Sequence, residues 1–135
     1  MVRNWGLIKK ENKYRLSPIF DNGSSLFPQL NTDKKIQAVL NDPTEIEQRI
    51  YKFPTSQVKY QGKKSSYYDI ISSLAFEECN SALVRITERV DLNKINKLID
   101  SIGDISDLRR EFYKTILKER FEKILLGSYN KLKLK

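Results

Sequence analysis

The sequence contains no histidine and a single cysteine, Cys79. Without imidazole, histidine general-base chemistry and most zinc sites are excluded. One thiol with no histidine gives neither a thiol–imidazole pair nor an internal disulfide. In an apolar-rich helical pattern, Cys79 reads as a small buried hydrophobe. Glycine is scarce: the five present are scattered singly, so no Gly-x-x-x-x-Gly-Lys-Ser/Thr loop and no Gly-x-Gly-x-x-Gly loop exists. No run approaches the ~20 apolar residues a membrane helix requires, and the first six residues lack the apolar stretch of a secretory signal. A reducing, cytoplasmic setting without membrane contact is the expectation. Chemistry is left to carboxylates, amides, hydroxyls and lysines.

The 135 residues suit one domain, 1–135, with a strand-and-turn opening over 1–30 and a helical part over 31–135. The net charge is +8 and the pI near 9.5, which raises nucleic-acid binding as a reading. The charge is spread, however. Residues 1–64 hold twelve Lys/Arg against six acids and residues 91–135 eleven against seven, while 65–90 hold two against four. No single basic stripe results, so direct nucleic-acid contact is not expected as the main role. The loop residues Lys63 and Lys64, flanked by Tyr60, Tyr67 and Tyr68, have the makings of a phosphate contact, although a solvated loop explains them as simply.

The opening reads as a β-hairpin: an aromatic and branched run over 5–8, a polar turn over 9–13, and a second strand over 14–16. Ser17-Pro18 interrupts the ladder. Ile19-Phe20 is an apolar pair expected to hold the next residues against a core, and Asn22-Gly23 in the following turn tolerates positive φ. Helices follow: 34–40 capped by Asp33, a second from Pro43 to the break at Pro54, and an apolar, central helix from about Ser66 to Phe76. Asn80-Ser81 caps another, Asp91 caps the stripe Leu92, Ile95, Leu98, Ile99, Ile102, and the last helix runs over 106–126 with Gly127 closing it. Arg109, Arg110, Lys114 and Lys118 are expected to pair along that helix with Glu111, Glu119 and Glu122. The fold class is mainly α (α+β), a short amino-terminal hairpin packed on five or six helices.

Asn4 and Asp21 sit at either end of the hairpin, which its two strands bring together. An amide oxygen beside a carboxylate suits a hard cation such as Mg²⁺, which takes few protein ligands and completes its shell with water and phosphate oxygens. Taken alone, Asp21 in Asp-Asn-Gly is an ordinary turn residue; with Asn4 and the hairpin between, a site is the better reading. The run Arg3-Asn4-Trp5-Gly6, followed by Leu16-Ser17-Pro18-Ile19-Phe20-Asp21, resembles the carboxy-terminal catalytic region of HipA-like serine/threonine kinases, the toxin kinases of toxin–antitoxin modules and their relatives. The motif match covers about 25 residues at the amino-terminal end. The resemblance implies a protein-kinase carboxy-terminal lobe with Asn4 and Asp21 as ligands of Mg²⁺ and ATP. It makes Trp5, Ile19 and Phe20 supports, and gives Ser24 and Ser25 no catalytic role.

The departures carry equal weight. In such kinases a catalytic aspartate stands five residues before the metal-binding asparagine, ahead of Met1 here. The phosphate-covering loop and strand lysine of the small lobe have no counterpart either. The expectation is therefore a truncated piece that is inactive alone, completed by a small-lobe or antitoxin partner chain and acting, in the intact family, on a protein substrate. The alternative is a non-catalytic basic helical module that binds a protein or nucleic acid.

Overall fold

The structure, a computed structural model, describes residues 6–135. Asn4 and Trp5 lie outside the described residues, and so do the expectations placed on them.

Strands β1 (Leu7–Lys10) and β2 (Lys13–Leu16) pair antiparallel, Leu7 opposite Leu16 and Lys10 opposite Lys13. The turn is shorter than the polar run suggested. Only Glu11 and Asn12 lie between the strands, both left-handed at φ 49° and 63°, the two-residue geometry whose twist matches the flanking strands. The ladder ends where Ser17 N–H donates to the Gly6 carbonyl at 2.8 Å. All of β2 is exposed, as is most of β1.

α1 (Asp33–Leu40) is capped by Thr32, whose hydroxyl accepts from Lys35 N–H at 3.3 Å. The expected cap Asp33 instead sits in the first turn and accepts a 2.6 Å bond from the Ser106 hydroxyl. α2 (Pro43–Tyr51) starts at Asp42, which accepts from Thr44 N–H at 2.9 Å, with proline in the first turn where its missing N–H costs nothing. The stretch read as a loop holds a second small ribbon, β3 (Lys59–Tyr60) and β4 (Lys63–Lys64), turned by Gln61 and Gly62 at φ 50° and 77°.

α3 (Tyr67–Ser73) begins with a reciprocal cap between Ser66 and Asp69. It is not the central helix. It stops at Leu74 in a left-handed conformation, and none of its residues is buried. The core lies between α1 and the last helix: Ile36, Phe112 and Ile116 are wholly buried, with Phe27, Leu30 and Val39 around them. The stop at Leu74 also moves the next helix forward. α4 (Glu77–Arg89) puts Glu77 and Glu78 in its first turn, where carboxylates favour the helix dipole. Asn80 and Ser81 fall inside it, and the Asn80 amide donates to the Leu74 carbonyl at 3.0 Å. Cys79 is exposed on this helix, not buried. α5 (Leu92–Asp100) is capped by Asp91 through Asn93 and Lys94 N–H.

α6 (Asp107–Arg120) is capped by Ser106. Its expected charge pairs form with other partners: Arg110 with Asp107 at 2.7 Å, Lys114 with Asp100 of α5 at 2.5 Å, and Glu119 with Lys123 at 2.6 Å. Nor does the helix close at Gly127. It widens into a π-helical stretch, Phe121–Leu126, and runs on as α7 (Gly127–Lys133). Its inward positions Phe112, Ile116, Ile124 and Ser128 fall on multiples of four. In an α-helix, four-residue steps drift about 40° each; the looser winding of the π stretch turns the line back onto one side. Gly127 N–H donates to the Glu122 carbonyl five residues back. With this rod counted once, six helices and the amino-terminal hairpin make a mainly-α fold among the described residues.

Gly127 has ordinary right-handed φ, −59°, and an added Cβ would meet only the Glu122 carbonyl oxygen at 3.5 Å, a normal contact. Gly127→Ala should therefore raise stability in urea unfolding by about 0.5–1 kcal/mol, the usual gain for alanine over glycine inside a helix. A helix-ending glycine at this position would give the opposite sign.

Candidate metal-holding turn

The chain leaves the hairpin through Ser17 and Pro18, and proline ends the ladder because it has no N–H. Ile19 and Phe20 do not hold the turn against the core, being 80% and 45% exposed. Asp21 follows at φ 56°, so the positive φ expected at Asn22-Gly23 falls on the aspartate itself. Aspartate is among the few side chains that tolerate this region. The Asn22 carbonyl then accepts two bonds from Ser25, from N–H at 3.0 Å and from the hydroxyl at 2.7 Å. This bracket folds the chain back after Asp21, whose side chain is exposed.

The anchor of the turn is Phe27, 4% exposed and also left-handed at φ 57°. Two guanidinium groups, Arg49 and Arg120, each lie 5.3 Å from its ring centroid. The ring meets Phe112 edge-on at 6.4 Å. Arg120 does the most. It donates to the Arg49 carbonyl from Nε at 3.2 Å and Nη2 at 2.9 Å, to Phe53 O at 3.0 Å, and to Ser25 O at 3.1 Å. One planar group thus joins the end of α2, the turn after Asp21 and α6. Burial pushes its pKa below the ordinary arginine value. Arg109 adds a second tie, donating to the Leu30 carbonyl at 2.8 Å. Arg49 is itself held by Glu45 at 2.6 Å. Ser24, Phe27, Glu45, Arg49 and Thr55 border an open cleft of about 390 Å³ beside the turn.

Phe27, Arg49 and Arg120 were not singled out by sequence reasoning. The signal for Arg120 is its place four residues from both Ile116 and Ile124, on the line of buried positions. An arginine there must find acceptors.

Among the described residues no cluster of three His, Cys, Asp or Glu could enclose a metal. The donor chemistry around Asp21 fits a cation of another kind, one that takes one or two protein oxygens and fills its shell with water and phosphate.

No family model matches the chain. Over 125 residues, 90% of its length, it is 42% identical to the serine/threonine-protein kinase CtkA of Helicobacter pylori (strain J99). This chain is homologous to part of a kinase. It spans 38% of that protein's length. The crystal structure of a Helicobacter pylori proinflammatory kinase CtkA matches it with a TM-score of 0.86 at 39% identity, over 98% of this chain and 47% of that one. The mainly helical fold with its amino-terminal hairpin is therefore kinase-like, of the carboxy-terminal-lobe type.

Arg120→Lys keeps the charge but loses the planar fork that reaches three carbonyls. It should lower urea-unfolding stability by about 1–2 kcal/mol, since the part-buried Arg49 carbonyl loses its charged donor while the exposed Ser25 and Phe53 carbonyls turn to water. It should also speed amide hydrogen exchange at Ser25 and Phe27 before the core of α6 is affected.

Proposed function

We propose that this chain is the metal-holding portion of a HipA-like serine/threonine protein kinase, organised as one unit over residues 1–135. The observation that carries the reading is the 42% identity to a serine/threonine kinase over nine-tenths of the chain. The left-handed Asp21, anchored through Phe27 and Arg120, adds the local chemistry. In this reading the Asp21 carboxylate and the Asn4 amide oxygen would hold Mg²⁺ together with ATP, and the metal would supply neutralisation of charge on the transferred phosphoryl group. The task of Asp21 is then to present its carboxylate from a fixed turn, and that of Arg120 is to keep the turn fixed.

Transfer to a serine or threonine of a protein substrate also needs a phosphate-covering segment and a base for the acceptor hydroxyl. We place both outside these 135 residues, in further polypeptide of the same or a partner chain that supplies the small lobe and the base, with an antitoxin as a further partner in a cytoplasmic toxin–antitoxin setting. By themselves the 135 residues hold nucleotide and do not turn over. Supporting this is the apolar surface beside the candidate site: Leu7, Tyr14, Leu16 and Ile19 are all more than half exposed, and a grouping of this kind marks an interaction surface.

The test is a thermal unfolding series with Mg²⁺–ATP on the unmutated chain and on Asp21→Ala. Ligand at a hundredfold its dissociation constant adds about 2.7 kcal/mol, several degrees in a domain of this size. The unmutated chain should shift and the variant should not. No shift at millimolar nucleotide, or equal shifts in both, removes the metal-site reading and leaves a non-catalytic basic module as the alternative.

A further inference from the structure

The amino-terminal ribbon presents a free strand edge. The bond from Ser17 N–H to the Gly6 carbonyl makes 6 and 17 a hydrogen-bonded pair, and such pairs alternate along an antiparallel ladder. Ile8–Arg15 and Lys10–Lys13 are then the bonded pairs, and the backbone N–H and C=O of Tyr14 and Leu16 point away from β1. No third strand joins β2 among the described residues, and all four of its residues are exposed. We infer that β2 adds a strand from a partner polypeptide, an extended segment in which acidic and apolar residues alternate. This does not depend on the metal-site reading above.

The register decides which strand fits. Directly opposite residues share a face of the ribbon, so Leu7, Lys9, Tyr14 and Leu16 lie on one side and Ile8, Lys10, Lys13 and Arg15 on the other. On the first side the edge is apolar, with Tyr14 and Leu16 63% and 72% exposed. The second side carries three cations, none of them in an ion pair among the described residues. A strand laid along β2 therefore meets cationic and apolar positions in turn, and its complement alternates acidic with apolar residues. Its affinity comes from main-chain hydrogen bonds and its selectivity from the alternate side chains. The main-chain groups of Tyr14 and Leu16 are already held in line by the ladder with β1. A ribbon of two strands is marginal by itself, and a third strand strengthens it.

The same charges argue against a second copy of this chain as the occupant. Antiparallel pairing about Tyr14 would set Lys13 opposite Arg15 of the second copy, and pairing about Arg15 would set that residue opposite itself. Like charges directly opposite destabilise a sheet, and cations on a free edge keep identical edges apart. The edge is also short. The turn at Glu11 and Asn12 closes one end, and Pro18, with no N–H to donate, closes the other. That leaves room for one short strand and not for an open-ended array.

The experiment titrates the full 135-residue chain with three peptides, read by backbone amide NMR and hydrogen exchange. They are acetyl-Thr-Glu-Val-Glu-Val-Thr amide, its counterpart with lysine at both glutamate positions, and the acidic peptide N-methylated at both valines. The acidic peptide should slow exchange at Tyr14 and Leu16, whose N–H groups become bonded. Lys13 and Arg15, already bonded to β1, should keep their rates. The N-methylated peptide retains the charges but not the pairing donors, and should bind about tenfold more weakly or worse. The lysine peptide should protect neither amide. In the double variant Lys13→Glu, Arg15→Glu the preference should reverse, the acidic peptide losing about tenfold and the lysine peptide gaining protection of Tyr14 and Leu16. Both side chains are exposed, so this variant is expected to fold, and the peptide series on the unmutated chain decides the matter without it. Equal binding of the acidic and lysine peptides overturns the inference, as does binding that N-methylation leaves intact. No protection of Tyr14 and Leu16 at millimolar acidic peptide overturns it too. Protection of the two amides that rises with protein concentration without any peptide assigns the edge to a second copy and rejects the proposal.

Discussion

Much of the structure depends on finding acceptors for one partly buried guanidinium. α2 ends with an orphan carbonyl at Arg49, because Phe53 N–H reaches past it to Gln48. Arg120 supplies the missing donor, then extends to Phe53 and to Ser25 on a different segment. The negative end of the α2 dipole favours a cation at this place. Phe27 sits with Arg49 and Arg120 over its ring and is part of the core that includes Ile36, Phe112 and Ile116. Electrostatic and apolar contributions therefore meet at one point. The turn after Asp21 has no regular secondary structure of its own, and it takes its rigidity from that point.

Rigidity there matters to the chemistry proposed for Asp21. A carboxylate at the surface binds a divalent ion weakly unless its backbone is already placed, since ordering a turn costs roughly 1–2 kcal/mol per residue. The Ser25–Asn22 bracket and the Phe27 anchor place that order in the folded state before any ligand arrives. A left-handed aspartate is a mild strain of the sort that persists only where the surroundings over-determine it. The segment that follows it is held by two arginines, one phenylalanine ring and three carbonyls.

The sequence made the class of fold legible because most of its punctuation is local. Asp91 caps the helix expected of it, and the helices expected to start near Pro43 and Ser106 do start there, capped by Asp42 and Ser106. The hairpin was legible for the same reason. What failed was decided by contacts distant in sequence. The apolar stretch over 67–76 looked central, but Leu74 turns left-handed and leaves α3 at the periphery. Ile19 and Phe20 are apolar yet exposed, while Phe27, further on, makes the anchor. Arg120 had no local signal beyond its spacing, since its partners lie 67 to 95 positions away in the chain. Asp21 was legible as a residue in a motif. Its left-handed backbone was not, because Gly23 stood nearby as the easier place for positive φ.

The widened stretch at Phe121–Leu126 makes the rod a counting device. Each residue in an α-helix advances the face by about 100°. The π stretch alters that count once, so that α7 arrives with Ser128 inward and Tyr129 placed to donate to Glu88 of α4 at 2.9 Å. A homologue lacking one residue within this stretch could close it into ordinary α-helix without breaking the rod. Its last turns would then face elsewhere, and α4 would lose the surface it rests on. Length in this short segment is therefore held by the orientation of a helix that lies beyond it, while loops such as the β3–β4 turn remain free to vary.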